Sequence, residues 1–206
     1  MSPTSSDQLS LIVSAMRLER GFYARDPREV APDLLNKVLV AGECRGRIVE
    51  AEAYAGSDDP GSHGYRGMTP RTEVMFGPPG RLYVYFTYGM HWCANVVCGK
   101  EGECAAVLLR ALTPLAGVDQ MWARRPAARR DRDLCSGPAK LTAALGIDGA
   151  ANGADLLTAD AGIEVLDDGT APPLDPGCSV RIGLSAGADL PWRWYVSGCP
   201  DLSRKG

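Results

Sequence analysis

The chain has 206 residues, a length at which one domain can bury a hydrophobic core without disulfides or metal ions. Hydrophobic residues make up 45% and charged residues 23%, as in globular proteins, and the 24 Gly and 15 Pro indicate many turns rather than disorder. The net charge of −3 argues against a general polyanion binder, although the basic residues are 18 Arg and only 4 Lys.

The amino terminus resembles no secretory signal, and every apolar run is far shorter than the roughly 18 residues of a membrane span. We therefore expect a cytoplasmic protein without a membrane partner. Residues 1–20 are interpreted as a loose or partly helical leader, and residues 21–206 as one domain that acts as a monomer.

Seven cysteines, an odd number with no CxxC pair, are expected to be reduced and mostly buried. An alternative is a zinc site built from His91, Cys93, Cys98 and Cys104, but none of the usual ligand spacings is present. We therefore expect no metal and no cofactor.

The first part of the chain alternates helix and strand signals. Asp26-Pro27 is typical of an N-cap followed by proline at the first helical position, which predicts a helix over 27–36. Strands are predicted over 37–41 and 47–54. The polar loop over 55–79 is long enough to suggest a functional segment.

The middle of the chain predicts a β-hairpin and an apolar strand. Residues 81–87 and 91–98 have strand patterns and are joined by Tyr88-Gly89-Met90. Residues 105–112 form an apolar run with one charge, Arg110.

The last part is richer in loops. Thr113-Pro114 predicts a helix that ends near residue 125, and Pro138 opens another that ends at Gly146. The remaining predictions are a basic loop over 124–133 with a charge of +3, surface loops with one edge strand over 150–178, and final strands over 179–184 and 193–197. The whole pattern favours one α+β domain with flanking helices around a curved, largely antiparallel sheet.

Two carboxylates lie two residues apart in the strand over 47–54. Side chains alternate along a strand, so Glu50, Glu52 and Tyr54 share one face, with the carboxylates about 6.5–7 Å apart. The segment can be a solvated strand face. A glutamate beside an aromatic ring and a long polar loop is also what general base catalysis requires.

Three tyrosines mark the hairpin. Tyr83 and Tyr85 share a face that can stack on a flat ligand, and Tyr88 at the connection can insert into a partner. Alternatively, all three rings belong to the core with their hydroxyls reaching solvent.

Arg110 needs a partner because it interrupts an apolar strand. Glu50 and Glu52 are the obvious candidates. The resulting ion pair can be purely structural, or it can belong to a catalytic site.

Together these segments resemble the alkyladenine (3-methyladenine) DNA glycosylase family, over about residues 22–200. The motifs that carry the resemblance are RIVEAEAY at 47–54, His63, TPR at 69–71, Met75-Phe76, PGRLYVY at 79–85, Tyr88-Gly89-Met90, Cys93, Asn95, VLLRAL at 107–112, LCSGP at 134–138, Lys140 and Leu141. The resemblance implies a single mixed domain with a protruding hairpin. It also implies an enzyme that flips a damaged purine out of double-stranded DNA and hydrolyses its N-glycosidic bond.

The resemblance also implies residue roles. Glu52 is expected to activate the attacking water and Arg110 to help hold it. The expected base contacts are Tyr54, His63 and Tyr85, with Asn95 excluding the guanine amino group, Leu108 in the pocket and the Ile182 carbonyl on the water. The expected DNA contacts are Arg71, Met75, Tyr83 and Tyr88, together with Arg129 and Arg130 of the basic loop.

No lysine lies in the motif strands, so a Schiff-base lyase step is not expected and the enzyme should leave an intact abasic site. His91-Trp92 departs from the family pattern and can change the packing of the hairpin. The loop over 63–69 is short, which can change the preferred base. Two alternatives remain open: an O-glycoside hydrolase that uses Glu50 and Glu52, and a non-catalytic nucleic-acid-binding module.

Overall fold

A computed structural model describes residues 15–204, where short helices surround one curled sheet of antiparallel strands. The strands are β1 (Met16–Arg17), β2 (Val38–Ala41), β3 (Cys44–Tyr54), β4 (Leu82–Thr87), β5 (His91–Val97), β6 (Ala106–Ala116), β7 (Ile163–Asp167), β8 (Gly177–Ser179) and β9 (Arg193–Tyr195). The α-helices are α1 (Arg20–Tyr23), α2 (Pro27–Leu34), α3 (Val118–Arg124) and α4 (Pro138–Leu145). This α+β arrangement confirms the predicted fold class.

Strand β3 is the centre of the sheet, whose order is β1-β7-β2-β3-β6-β5-β4. One edge of β3 pairs with β6 along most of its length, and the other edge pairs first with β2 and then with β9. The register with β6 shifts on both sides of Glu50. Such a bulge bends a strand and increases its twist, and here it lies where the acidic pair begins.

The main hydrophobic core covers one face of the sheet. It contains Ala51 and Ala53 from β3, together with Val84, Ala94 and Leu109 from the neighbouring strands. Helices α2 and α4 pack on this face because their buried residues repeat at helical spacing. The predicted N-cap is confirmed: the Asp26 carboxylate accepts a hydrogen bond from the Arg28 N–H.

Strands β4 and β5 form the predicted hairpin, with Thr87 paired to His91 across a three-residue connection. Tyr88 has a φ of +51° and Gly89 a φ of +65°. The left-handed conformation is unfavourable for a tyrosine, so the turn holds Tyr88 in a strained backbone geometry at the exposed tip.

The predicted helix start at Thr113-Pro114 is wrong. Strand β6 continues through both residues to Ala116, because its pairing with β3 extends that far. Pro114 is tolerated there since the register shifts beside its partner Gly46, and bulges accommodate a residue that cannot donate. Helix α3 begins only after Gly117, whose φ is +69°.

Three further features differ from the predictions. Of the strand predicted over 179–184, only Ser179 lies in a strand, at the end of β8, and residues 182–183 form a bend instead. Strand β7 is not at the edge, because it pairs with both β1 and β2. Of the predicted leader, residues 1–14 lie outside the described range, whereas Met16–Arg17 form β1.

Within residues 15–204, none of the helices combines the length and the apolar composition needed to cross a bilayer.

Candidate active site

The face of the sheet opposite the main core carries the polar and aromatic side chains. Because residues alternate along β3, Glu50, Glu52 and Tyr54 point away from the core that holds Ala51 and Ala53. Both glutamates are fully buried. The solvated strand face considered from the sequence is therefore excluded.

Glu52 is held by three donors. Its Oε1 accepts from the backbone N–H of Ile182 at 2.8 Å, and its Oε2 accepts from the Tyr54 hydroxyl at 2.9 Å. Arg110 Nη1 lies 3.1 Å from the same Oε2. Burial raises the pKa of Glu52 above its usual range, and the Arg110 charge and the two hydrogen bonds offset only part of that rise.

Arg110 on β6 joins the two carboxylates, as the sequence predicts. Its Nε donates to Glu50 Oε1 at 2.9 Å, its Nη1 faces Glu52, and its Nη2 donates to Ser203 Oγ at 3.2 Å. Desolvation lowers the pKa of this buried guanidinium, but the charges of Glu52 and Glu50 outweigh that cost and raise it. Arg110 therefore stays charged.

Glu50 is more strongly bound than Glu52. Besides Arg110, it accepts from Arg193 Nε at 2.7 Å, from the Ser203 N–H at 2.6 Å and from Ser203 Oγ at 2.7 Å. Burial alone would raise the pKa of Glu50, but the hydrogen bonds from Arg193 and Ser203 and the Arg110 charge lower it below the usual range. A carboxylate so fully occupied is a poor proton donor, which weighs against a glycosidase acid at Glu50.

An aromatic cavity of about 60 Å³ lies beside this network. The residues that line it are Tyr54, Gly61, His63, Met75, Tyr83, Tyr85, Asn95 and Leu184. The Tyr54 ring forms part of its wall, and the Tyr54 hydroxyl contacts Glu52. Glu52 is therefore connected to the wall of the cavity through its hydrogen bond with Tyr54.

The cavity is closed by contacts between its own rings. The His63 and Tyr85 ring centroids are 4.5 Å apart, and His63 Nδ1 lies 3.1 Å from the Tyr83 hydroxyl. A base cannot lie between rings that already touch, and the cavity is much smaller than the few hundred Å³ of typical ligand pockets. Desolvation by the rings around it and the nearby Arg71 charge lower the pKa of His63, although the residue is partly open to solvent, so the ring is neutral near pH 7.

The remaining predicted pocket residues surround this cavity. Asn95 is buried, and its side-chain amide donates to the Tyr83 carbonyl at 3.2 Å. Leu108 on β6 lies between Asn95 and Glu52 in the sheet register. Ile182 reaches the site through its N–H on Glu52, whereas the expected contact of its carbonyl with a water stays a prediction.

Two residues predicted to contact DNA have a different position. Met75 and Tyr83 are 2% and 1% exposed and belong to a small core cluster under the cavity. They are buried because the segment over 55–79 folds back onto this face of the sheet, so in this structure they are pocket residues rather than surface residues. Arg71, in contrast, is exposed, with its guanidinium 5.3 Å from the centre of the Tyr85 ring.

The other predicted DNA contacts are exposed. Tyr88 is 83% exposed at the hairpin tip, so the interpretation of all three hairpin tyrosines as core residues is wrong for this one. Arg129 and Arg130 are also exposed, although Arg130 forms an ion pair with Asp133 at 3.1 Å.

Sequence reasoning missed a second buried ion pair beside the site. Arg181 forms two contacts of 2.5 and 2.6 Å with Asp59, and its guanidinium lies 4.6 Å from the centre of the Tyr54 ring. The pair fixes the bend that presents the Ile182 N–H to Glu52. The only signal in the sequence for this ion pair is that Arg181 directly precedes Ile182, a predicted site residue.

The four residues of the alternative zinc site are not brought together. Cys98 points into the main core, whereas His91 is exposed on the hairpin and Cys93 faces the site. Across the described part of the chain, no three His, Cys, Asp or Glu side chains converge as metal ligands.

A family model described as methylpurine-DNA glycosylase (MPG) matches residues 21–200. The chain belongs to this family. The predicted enzyme class, a DNA glycosylase, is thereby confirmed.

Curated relatives are similar in sequence to this protein along nearly the whole chain. A protein of Burkholderia lata is 59% identical over 182 residues, which is 88% of each chain. A protein of Streptomyces avermitilis is 47% identical over 90% of each chain, and one of Carboxydothermus hydrogenoformans is 49% identical over 92% of this chain and all of its own. Each is named "Putative 3-methyladenine DNA glycosylase".

Proposed function

We propose that this DNA glycosylase removes damaged purines from double-stranded DNA by hydrolysing the N-glycosidic bond with a water activated by Glu52. The observation that carries the proposal is a buried glutamate with a raised pKa, held by Arg110 and the Ile182 N–H and separated from an aromatic cavity only by Tyr54. A raised pKa makes Glu52 a better proton acceptor than an ordinary carboxylate.

In the proposed step, water forms a bond to C1′ of the nucleotide and gives a proton to Glu52. The bond between C1′ and the purine nitrogen breaks, and its electron pair leaves with the base. An alkylated purine that already carries a positive charge leaves as a neutral molecule. The faces of Tyr54 and Tyr85 attract such a cation by about 0.5–2 kcal/mol, and the neutral His63 adds no opposing charge.

The target base has to leave the helix to reach a cavity beneath the surface. We infer that His63 moves away from Tyr85 when the base enters, since their rings are in contact without it. Tyr88 at the hairpin tip fills the vacated position in the stack, and Asn95 rejects the guanine amino group. The exposed Arg71, Arg129 and Arg130 supply phosphate contacts.

The reaction is expected to end at an abasic site, since the proposed nucleophile is water and no lysine lies in the strands that build the site. The residues proposed for chemistry, base contact and insertion all come from one chain. We therefore propose that a monomer is sufficient for excision. We also propose that it acts in the cytoplasm, as expected from the sequence.

The test is single-turnover excision from duplex oligonucleotides that carry hypoxanthine, ethenoadenine or an alkylated purine. We expect wild type to release at least one of these bases and Glu52→Gln to lose about 10²–10⁴-fold in rate while it still binds DNA. Arg47→Gln is the control, because it removes an ion pair with Asp168 away from the site and should excise normally. An excision rate for Glu52→Gln within tenfold of wild type would refute the assigned role.

Borohydride treatment of the same reactions tests the expected product. We expect no covalent protein–DNA adduct. A trapped adduct would instead indicate an amine nucleophile.

A further inference from the structure

Glu50 has no part in the proposed reaction, yet it has the most extensive set of partners around the site. It is fully buried and accepts hydrogen bonds from Arg110, Arg193 and both donors of Ser203. These partners come from β6, from β9 and from the segment that follows β9. Burying a charge is costly unless it is paired, so a carboxylate kept here without a chemical role calls for an explanation.

The geometry around Arg110 indicates what Glu50 does. Glu50 binds Arg110 Nε and Ser203 binds Nη2, which leaves Nη1 directed at Glu52. Arg193 is itself fixed, because its Nη1 donates to Ser179 Oγ at 2.8 Å and its Nη2 to the Arg204 carbonyl at 2.9 Å. The guanidinium of Arg110 is therefore held in one orientation, with Nε and Nη2 bound by Glu50 and Ser203 and Nη1 facing Glu52.

We propose that Glu50, Arg193 and Ser203 form a positioning unit that directs Arg110 at Glu52 and balances the charge around it. The proposal rests on the function proposed for Glu52. None of the three residues lines the aromatic cavity. They act through Arg110 and are not catalytic residues themselves.

The charges in the network set the expected effects. Glu50 and Glu52 are balanced by Arg110 and Arg193. The other ionisable side chains near Glu52 are Tyr54 on the same strand, Cys93 and Tyr85 on the hairpin, and Arg181 over Tyr54 with its partner Asp59. Removing the Glu50 charge leaves excess positive charge, which favours ionised Glu52. Removing the Arg193 charge leaves excess negative charge, which favours protonated Glu52.

The experiment follows the ionisation of Glu52 in two ways. One is the acid limb of the pH profile for single-turnover excision, and the other is the ¹³C NMR titration of the Glu52 side-chain carboxyl in the free enzyme. We expect Glu50→Gln to move both midpoints down, and Arg193→Gln to move both up, by about half to one pH unit each. The double variant should return both close to the wild-type position.

Ser203→Ala is the milder test, because it removes the hydroxyl that accepts from Arg110 Nη2 and donates to Glu50 but leaves every charge in place. Glu50 then relies more on Arg110, and both midpoints should rise by less than in Arg193→Gln. This variant also preserves the test if Glu50→Gln does not fold. Arg47→Gln again controls for a general loss of stability and should move neither midpoint.

Opposite shifts for Glu50→Gln and Arg193→Gln, with return in the double variant, would support the positioning unit. Unmoved midpoints, or shifts in the same direction, would overturn it and leave Glu50 a structural ion pair. The proposed function fails separately: excision that survives Glu52→Gln would refute that function, while the NMR titration still reports on the unit.

Discussion

Two regions of the same sheet differ in how they hold the side chains that we propose to be functional. Around Glu50, each charged group is buried and has several partners from distant parts of the chain. At the hairpin tip, Phe86, Tyr88 and Met90 are 45%, 83% and 67% exposed on a three-residue connection. The charged side chains around Glu50 are therefore held in place by many contacts, whereas the side chains at the hairpin tip are accessible to a partner.

The difference agrees with the functions that we propose for the two regions. A water-activating carboxylate needs a fixed neighbour, because small errors in position cost much of the rate. A side chain that enters the DNA stack must stay outside the core until DNA arrives. Substitutions of Glu50 and the partners that compensate its charge should therefore reduce stability, whereas substitutions at the tip should reduce DNA binding and base flipping and leave stability nearly unchanged.

The largest expected effect is a contrast between two substitutions with the same chemistry. Glu50→Gln should lower the free energy of unfolding by about 3–5 kcal/mol, because it breaks a buried pair and leaves Arg193 and Arg110 poorly compensated. Glu52→Gln should leave stability unchanged or raise it, because the folded state disfavours ionised Glu52. Urea unfolding at pH 7 measures both. Equal losses would mean that the two carboxylates are equivalent structural groups.

The next expected effect concerns the hairpin. Tyr88→Ala should reduce the flipped population of ethenoadenine in duplex DNA about ten- to a hundredfold, since base–aromatic stacking contributes roughly 1–3 kcal/mol. Stopped-flow fluorescence reports that population. The melting temperature should hardly change, as for most exposed sites. A clear drop in melting temperature with normal flipping would remove Tyr88 from the DNA contacts.

The pH dependence of stability should also separate the two glutamates. Folding lowers the pKa of Glu50, so ionised Glu50 stabilises the folded state. This contribution to the free energy of unfolding is fully present above the ordinary glutamate pKa and is lost as pH falls through the lowered value. The pKa of Glu52 is raised, so wild type should gain stability relative to Glu52→Gln as pH falls through the raised value. Each pKa unit corresponds to about 1.4 kcal/mol. Unfolding series from pH 4 to 8 provide the measurement, and parallel curves for wild type and Glu52→Gln would contradict it.

The smallest expected effect is in the basic loop. Arg129 and Arg130 should each release about one counterion on binding, so replacing both by Ala should lower the salt slope of DNA affinity by up to about 2. Asp133 already pairs with Arg130, which favours a value nearer 1. An unchanged slope would place this loop away from the DNA.

Local patterns in the sequence predicted much of the site. Strand alternation placed Glu50, Glu52 and Tyr54 on one face, and the isolated charge of Arg110 correctly pointed to the two carboxylates. The hairpin and its exposed tip followed from the turn at Tyr88-Gly89-Met90. These features depend on residues close in sequence or on an apolar strand that cannot hold an unpaired charge.

The tertiary structure alone decided the rest. Arg193 and Ser203 lie 143 and 153 residues from Glu50, and Arg181 lies 122 residues from Asp59. No local periodicity relates residues so far apart. The Glu50 contacts exist because β9 and the segment after it pack against β3, and the Arg181–Asp59 pair exists because the segment before β9 lies against the loop after β3. Thr113-Pro114 shows the same principle, because pairing with β3 overrode a local helix signal. The sequence thus determined which side chains carry the proposed chemistry, and the long-range packing decided which charges hold them in place.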